Sequence, residues 1–143
     1  MIEIISICAQ LKSDVIVSDE RENDKRRILN FGHTIGHALE TFFGFDKLRH
    51  GEAISHGMLA AGKLSSEYLD FSCENYELLK KTINKLHLPD LPEFDSSKIL
   101  KIMQNDKKVQ KGSLHFILLE DIGRAVVKHN INEISIINVL NDL

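Results

Sequence analysis

Between Arg26 and Met58 the sequence reads RRILNFGHTIGHALETFFGFDKLRHGEAISHGM, and the spacing inside that stretch constrains what the rest of the chain can form. Steps of four, three and four residues turn an α-helix by about 400°, 300° and 400°, so a single helix places Arg26, Asn30, His33 and His37 on one narrow stripe. The other side of that helix carries Ile28, Phe31, Ile35, Leu39 and Phe42, enough apolar surface to seat it against a core. One face anchors; the other presents groups that coordinate, donate or shuttle protons. Gly32 and Gly36 each stand one residue before a histidine. A glycine inside a helix costs roughly 1 kcal/mol against alanine, so two of them imply close approach of a second helix or a ligand.

A solvated helix face is the plainer account of such a stripe. Solvated faces are built mostly from Lys, Glu and Gln, whereas this one uses Arg, Asn and two His, and another histidine follows in Arg49-His50-Gly51-Glu52. Histidines at i, i+4 have a common metal-ligand spacing that also arises by chance, so pattern alone leaves a metal or catalytic site and a decorated surface both open.

The chain has 143 residues, 43% hydrophobic and 27% charged, which describes one soluble globular domain with a single core. The periodicities predict a mainly α, multi-helical domain over residues 1–143 with a small β-hairpin near the C-terminus. Ile4, Ile7, Cys8, Leu11 and Val15 make a helical apolar stripe in a first helix that runs to about Lys12, with 14–18 ambiguous between helix and extended chain. Asn23 or Asp24 then caps the central helix, which stops at Gly44 after Phe43. His50 opens the next helix, whose Ala53, Ile54, Met58, Ala61, Leu64 and Leu69 are expected inside and whose Ala53, Gly57, Ala60 and Ala61 permit tight packing against the glycine face. Ser72 opens a helix with Leu78, Leu79, Ile83 and Leu86 inward, ending before Pro89. Asp95 or Ser96 caps a short helix with Ile99, Leu100, Ile102 and Met103. The apolar runs 114–119 and 125–127 flank a turn at 121–123 and read as a hairpin. Asn132 caps a last helix with Ile134, Ile137, Leu140 and Leu143 facing inward.

A net charge of −3 with Lys and Arg spread along the chain argues against nucleic acid as a partner. No apolar run approaches the roughly 20 residues of a membrane span, and the start has no signal-like core, so no membrane partner is expected. Cys8 and Cys73 have no metal or redox spacing, in keeping with a reduced, cytoplasmic setting. The opening inside a helical stripe suggests that the chain begins part-way through a larger architecture.

Asn30-Phe31-Gly32-His33-Thr34-Ile35-Gly36-His37-Ala38-Leu39-Glu40, then His50-Gly51-Glu52-Ala53 and Gly57-Met58, resembles the signature of the 3-dehydroquinate synthase family. Leu11-Lys12, Asp19-Glu20-Arg21-Glu22 and Asp106-Lys107-Lys108-Val109 are similar to that family in the same order, so the resemblance runs nearly end to end. Family members are more than twice as long and begin with a nucleotide-binding half. The resemblance therefore implies the C-terminal, α-helical metal- and substrate-binding half alone, with that N-terminal domain as its partner; it is compatible with a homodimer.

The resemblance implies zinc held by His33 and His50, with His37 beside the metal handling a proton. The family's third ligand is a glutamate upstream of Met1; Asp19, Glu22 or a water would have to replace it, and nothing in the sequence chooses among them. NAD is implied as a second cofactor, bound mainly by the other half, since no Gly-rich strand-to-helix turn is present. The substrate implied is a seven-carbon sugar-acid phosphate. Arg26 suits its carboxylate through a bidentate fork, with Lys107 or Lys108 assisting, while Asn30, Lys12 and Glu22 match family positions that contact hydroxyls or order the site, Lys12 and Glu22 among the catalytic ones. Two alternatives stand beside this: another sugar-phosphate cyclase, against which Arg26 argues, and a non-catalytic metal-binding module. His56 departs from the family and, about 120° round the helix from His50, reads as packing or surface. His87, His115 and His129 read as structural.

Overall fold

The computed structural model describes residues 2–19, 25–44, 46–105 and 114–143. Asn23 and Asp24, expected as caps, lie outside them. The described residues form α1 (Ile2–Ser18), a 3-10 helix (Lys25–Asn30), α2 (His33–Phe43), α3 (His50–Tyr68), α4 (Cys73–Asn84), α5 (Ser96–Asn105), an antiparallel hairpin of β1 (His115–Asp121) and β2 (Arg124–His129), and α6 (Glu133–Asn141). This is the mainly helical architecture with a late hairpin that the periodicities predict.

α3 lies at the centre, packed against α2, α4, α6 and β1, and α5 closes the other side of α2. Ile35, Leu39, Ala53, Ala60, Leu64, Ile99, Met103, Phe116, Leu118, Ile136 and Leu140 fill the core. Two hydroxyls tie the hairpin on: Thr34 Oγ1 donates to the His115 carbonyl at 2.8 Å, and buried Ser65 Oγ accepts from the Leu119 N–H at 2.9 Å. Each fixes one strand against one helix of the site.

The terminators fall where local chemistry puts them. Gly44, at φ 83°, ends α2; Ser72 accepts from the Asn75 N–H to start α4; Asn132 accepts from the Ile134 N–H to start α6.

The central helix is not continuous. Gly32 takes the left-handed conformation, φ 80° and ψ −13°, which an α-helix cannot contain, so a 3-10 helix ends at Asn30 and α2 begins at His33. Arg26 and Asn30 therefore leave the stripe on which a single helix would hold them with His33 and His37. The break lets the backbone at Gly32 lie against α3. A Cβ built on Gly32 would come within 2.7 Å of Met58, one on Gly36 within 2.9 Å of the Ile54 Cα, and one on Gly57 would press on the Gly32 carbonyl oxygen.

Three further expectations change. α1 runs to Ser18, resolving 14–18 as helix, and none of its residues is buried; its apolar stripe is exposed except at half-buried Val15. Leu78 on α4 and Leu86 just beyond its end are exposed because α4 packs chiefly on α3, with Ile83 buried and Leu79 half-buried to seat it. Ile134 is exposed and Ile136, Val139 and Leu140 are buried, since α6 turns that stripe toward α5 and α3.

Gly57→Ala gains helix propensity but places a methyl group on the Gly32 backbone, which has no rotamer to yield. Urea unfolding of this chain should show a loss of at least about 1–3 kcal/mol, whereas Gly51→Ala, with open space around it, should be neutral or mildly stabilising. Equal stabilities for Gly57→Ala and the parent would disprove the tight crossing.

Candidate metal centre

His33 is the first residue of α2, His37 lies one turn further on, and His50 is the first residue of α3. The α2–α3 crossing brings the three rings together, with centroids 5.2 Å apart for His33 and His37, 5.8 Å for His33 and His50, and 5.7 Å for His37 and His50. One ring nitrogen from each lies within 4.8 Å of the others. His33 and His37 are half-buried and His50 is exposed, so the cluster opens to solvent on the His50 side.

Local contacts hold the rings of His33 and His50. The Phe31 carbonyl stands 3.2 Å from His33 Nδ1, and a carbonyl only accepts, so Nδ1 carries the hydrogen and Nε2 the lone pair. His50 Nδ1 lies 3.3 Å from both oxygens of Glu40. Glu52 accepts from the Arg49 N–H at 2.9 Å, closing the first turn of α3 and giving the His-Gly-Glu motif a structural reason. Three imidazoles, open on one side, match what a borderline divalent metal takes with a position left for water or substrate.

Of the residues expected around this centre, Lys12 is exposed on α1, Arg26 is half-buried on the 3-10 helix with its N–H donating to Asp19 Oδ2 at 3.1 Å, and Asn30 is exposed at the end of that helix. Glu22, Lys107 and Lys108 lie outside the described residues. The structure assembles the histidines and leaves the described cation and amide positions on peripheral elements. Glu40 carries no role in the sequence reading, although it was legible. At i+7 from His33 and i+3 from His37 it shares their face, and a carboxylate there is only 8% exposed.

His56 is buried and is not one of the three. Its Nε2–H donates to the Pro89 carbonyl at 3.0 Å, leaving Nδ1 buried without a partner among the described residues. Burial pushes its pKa below 6.5, against the opposing pull of the Pro89 carbonyl, Glu52 and Asp90. His115 and His129 meet edge to face at 4.3 Å; burial, then the neighbouring His129 and Arg27, lower His115.

The arrangement defines a helical domain bearing an open three-histidine centre at a glycine-lined helix crossing. Residues 1–109 match the family described as 3-dehydroquinate synthase C-terminal, and the chain belongs to that family. It is 40% identical over 142 residues to the 3-dehydroquinate synthase of Crocosphaera subtropica, covering 98% of this chain and 39% of that protein. For the enzyme of Thermodesulfovibrio yellowstonii the figures are 39% identity, 99% and 40%. The chain thus spans about two fifths of the length of these curated relatives. Among solved structures, 2-deoxy-scyllo-inosose synthase complexed with carbaglucose-6-phosphate, NAD+ and Co2+ superposes with a TM-score of 0.84 at 27% identity, over 96% of this chain and 39% of that one. The 2-epi-5-epi-valiolone synthase of Streptomyces hygroscopicus, with NAD+ and Zn2+ bound, also reaches 0.84, at 21% identity over 99% of this chain and 39% of its own; it speaks for the fold.

A lowered His56 pKa means that the unfolded chain binds more protons than the folded one as pH falls. The contribution of neutral His56 is complete above about 6.5 and is lost as pH drops through that value toward the lower folded one. His56→Gln, whose amide can still donate to Pro89, should lose less stability than the parent between about pH 8 and about pH 5 in urea titrations. Identical slopes would show that His56 protonates freely in the folded chain.

Proposed function

We propose that this chain is the metal- and substrate-binding part of a 3-dehydroquinate synthase, acting with an N-terminal nucleotide-binding domain in the cytoplasm to convert 3-deoxy-D-arabino-heptulosonate 7-phosphate to 3-dehydroquinate and phosphate. The observation that carries the reading is the three-histidine centre, formed by the residues of the family signature at the α2–α3 crossing.

His33 and His50 are the residues to hold a divalent metal, zinc in this reading, with His37 adjoining them. When bound, such an ion supplies Lewis acidity that lowers the pKa of a substrate hydroxyl. His37 has the remaining task of moving a proton at that hydroxyl, for which imidazole is suited near neutral pH. Arg26 takes the substrate carboxylate through two parallel N–H donors, Asn30 meets a hydroxyl, and Lys12, Glu22, Lys107 and Lys108 complete the polar surround. For these last three the reading rests on sequence alone. NAD does not fit the described residues, whose one sheet is an antiparallel hairpin and whose strand-to-helix connection, Asn130-Ile131-Asn132, has no glycine to let a backbone cradle a pyrophosphate. Its site belongs to the other domain. The exposed Ile2, Ile4, Ile5, Ile7 and Leu11 of α1 supply an apolar surface for that domain to cover.

Likeness to 2-deoxy-scyllo-inosose synthase supports a second reading, a cyclase for a sugar phosphate without a carboxylate. Arg26 separates the two. In a full-length protein completed with the nucleotide-binding domain of a relative, Arg26→Lys should raise KM or lower kcat/KM with metal content unchanged; unaltered kinetics would move the carboxylate elsewhere or favour the second reading.

The isolated chain should show no turnover with substrate, NAD and zinc, and sustained phosphate release above a His33→Ala control would sink that expectation. His33→Ala and His50→Ala should lose metal on dialysis. His37→Ala should keep it while the completed enzyme slows by about 10²–10⁴. If His37→Ala strips the metal as thoroughly as His33→Ala, the i, i+4 pair chelates together and the division of roles fails.

A further inference from the structure

Glu40 is a buried carboxylate whose side-chain partner among the described residues is a histidine of the candidate metal centre. It lies on α2, 8% exposed, and both its oxygens stand 3.3 Å from Nδ1 of His50, the first residue of α3. A carboxylate at neutral pH has only acceptors, so a hydrogen bond in this geometry requires that His50 Nδ1 carry the hydrogen. A neutral imidazole protonated at Nδ1 keeps its lone pair on Nε2, across the ring from Glu40. The donor set that converges comprises His33, His37 and His50, and Glu40 stands behind it.

We propose that Glu40 is a positioning residue of the centre: it selects the Nδ1–H tautomer of His50 and holds the ring so that Nε2 serves as the metal-binding atom. The inference rests on the metal reading given above and assigns a job within it. Three observations support the assignment. His50 is exposed, and an exposed imidazole on the first residue of a helix has little packing to choose its rotamer, so a charge-assisted hydrogen bond becomes its main restraint. Glu40 is buried at the crossing of α2 and α3, where an ionised side chain is costly unless partnered, and His50 is the partner. His33 is held in the same sense by the Phe31 carbonyl at its Nδ1, so two rings on two different helices present the same nitrogen. Carboxylate and carbonyl partners of this kind orient metal-ligating histidines generally, and their loss costs about 10–100-fold in affinity.

The test uses the 143-residue chain and Co2+ as the probe, with affinity measured by competition against a chromophoric chelator and coordination read from the visible d–d bands. Glu40→Ala should weaken Co2+ binding about 10–100-fold and alter the band intensities. Glu40→Gln, whose amide oxygen can still accept from Nδ1, should recover part of that loss. Thermal unfolding of the metal-free variants separates a loss of fold from a loss of ligand orientation. Long-range 1H–15N correlation spectra of the metal-free parent give the tautomer directly and need no variant. Nδ1–H at His50 supports the proposal and Nε2–H overturns it, even if Glu40→Ala does not fold. A folded Glu40→Ala that binds Co2+ as tightly as the parent, with the same spectrum, also overturns it. A parent chain that binds no Co2+ would instead sink the metal reading, leaving the tautomer to decide the role of Glu40.

Discussion

Backbone lies on backbone where α2 crosses α3, and the position of each imidazole follows from that contact. Gly32 and Gly36 face Met58, Ile54 and Gly57 with no room for a Cβ, and Gly57 in turn faces the Gly32 carbonyl. Gly32 and Gly36 each immediately precede a histidine. His50 lies seven residues before Gly57, about two helical turns, so it is on the side of α3 that the glycine turns toward α2. Moving the helices apart by the width of a methyl group would separate His50 from His33 and His37 by a comparable distance. The glycines, costly in a helix by propensity, are kept where side chains would prevent the centre from closing.

This explains which parts of the molecule were legible beforehand. Signals that act within one turn were read correctly: Gly44 as a stop, Ser72 and Asn132 as caps, His50 as the first residue of its helix, and Gly123 in the hairpin turn. The glycine pairs announced a close crossing because nothing local accounts for them. What periodicity could not show is the break at Gly32. Residues 26–37 satisfy a helical repeat, and only the tertiary demand that Gly32 meet Gly57 selects the left-handed turn instead. Leu78, Leu86 and Ile134 failed for a related reason: an apolar residue at helical spacing is buried only if a neighbouring element reaches it, and α4 and α6 are each covered on a narrow side. The histidines were found by type and spacing. Glu40 was passed over because glutamate on a helix is ordinarily solvent-facing, and its burial depends on where α3 sits.

The two tasks proposed for the chain therefore rest on different kinds of support. The imidazoles are placed by contacts at the α2–α3 crossing, through Gly32, Gly36, Gly57, Phe31, Glu40 and Glu52. Lys12 is placed by α1, a 17-residue helix with no buried residue, whose packing in the described structure is chiefly against the 3-10 helix that carries Arg26 and Asn30. A helix with so little tertiary cover draws little stability from packing, and its exposed isoleucines are stabilised only by a surface that covers them. Docking of the nucleotide-binding domain on α1, as proposed, would then do more than bring a cofactor. It would fix α1, and through α1 the short helix behind it, setting Lys12, Arg26 and Asn30 against a metal centre that the chain's own glycine crossing had already built.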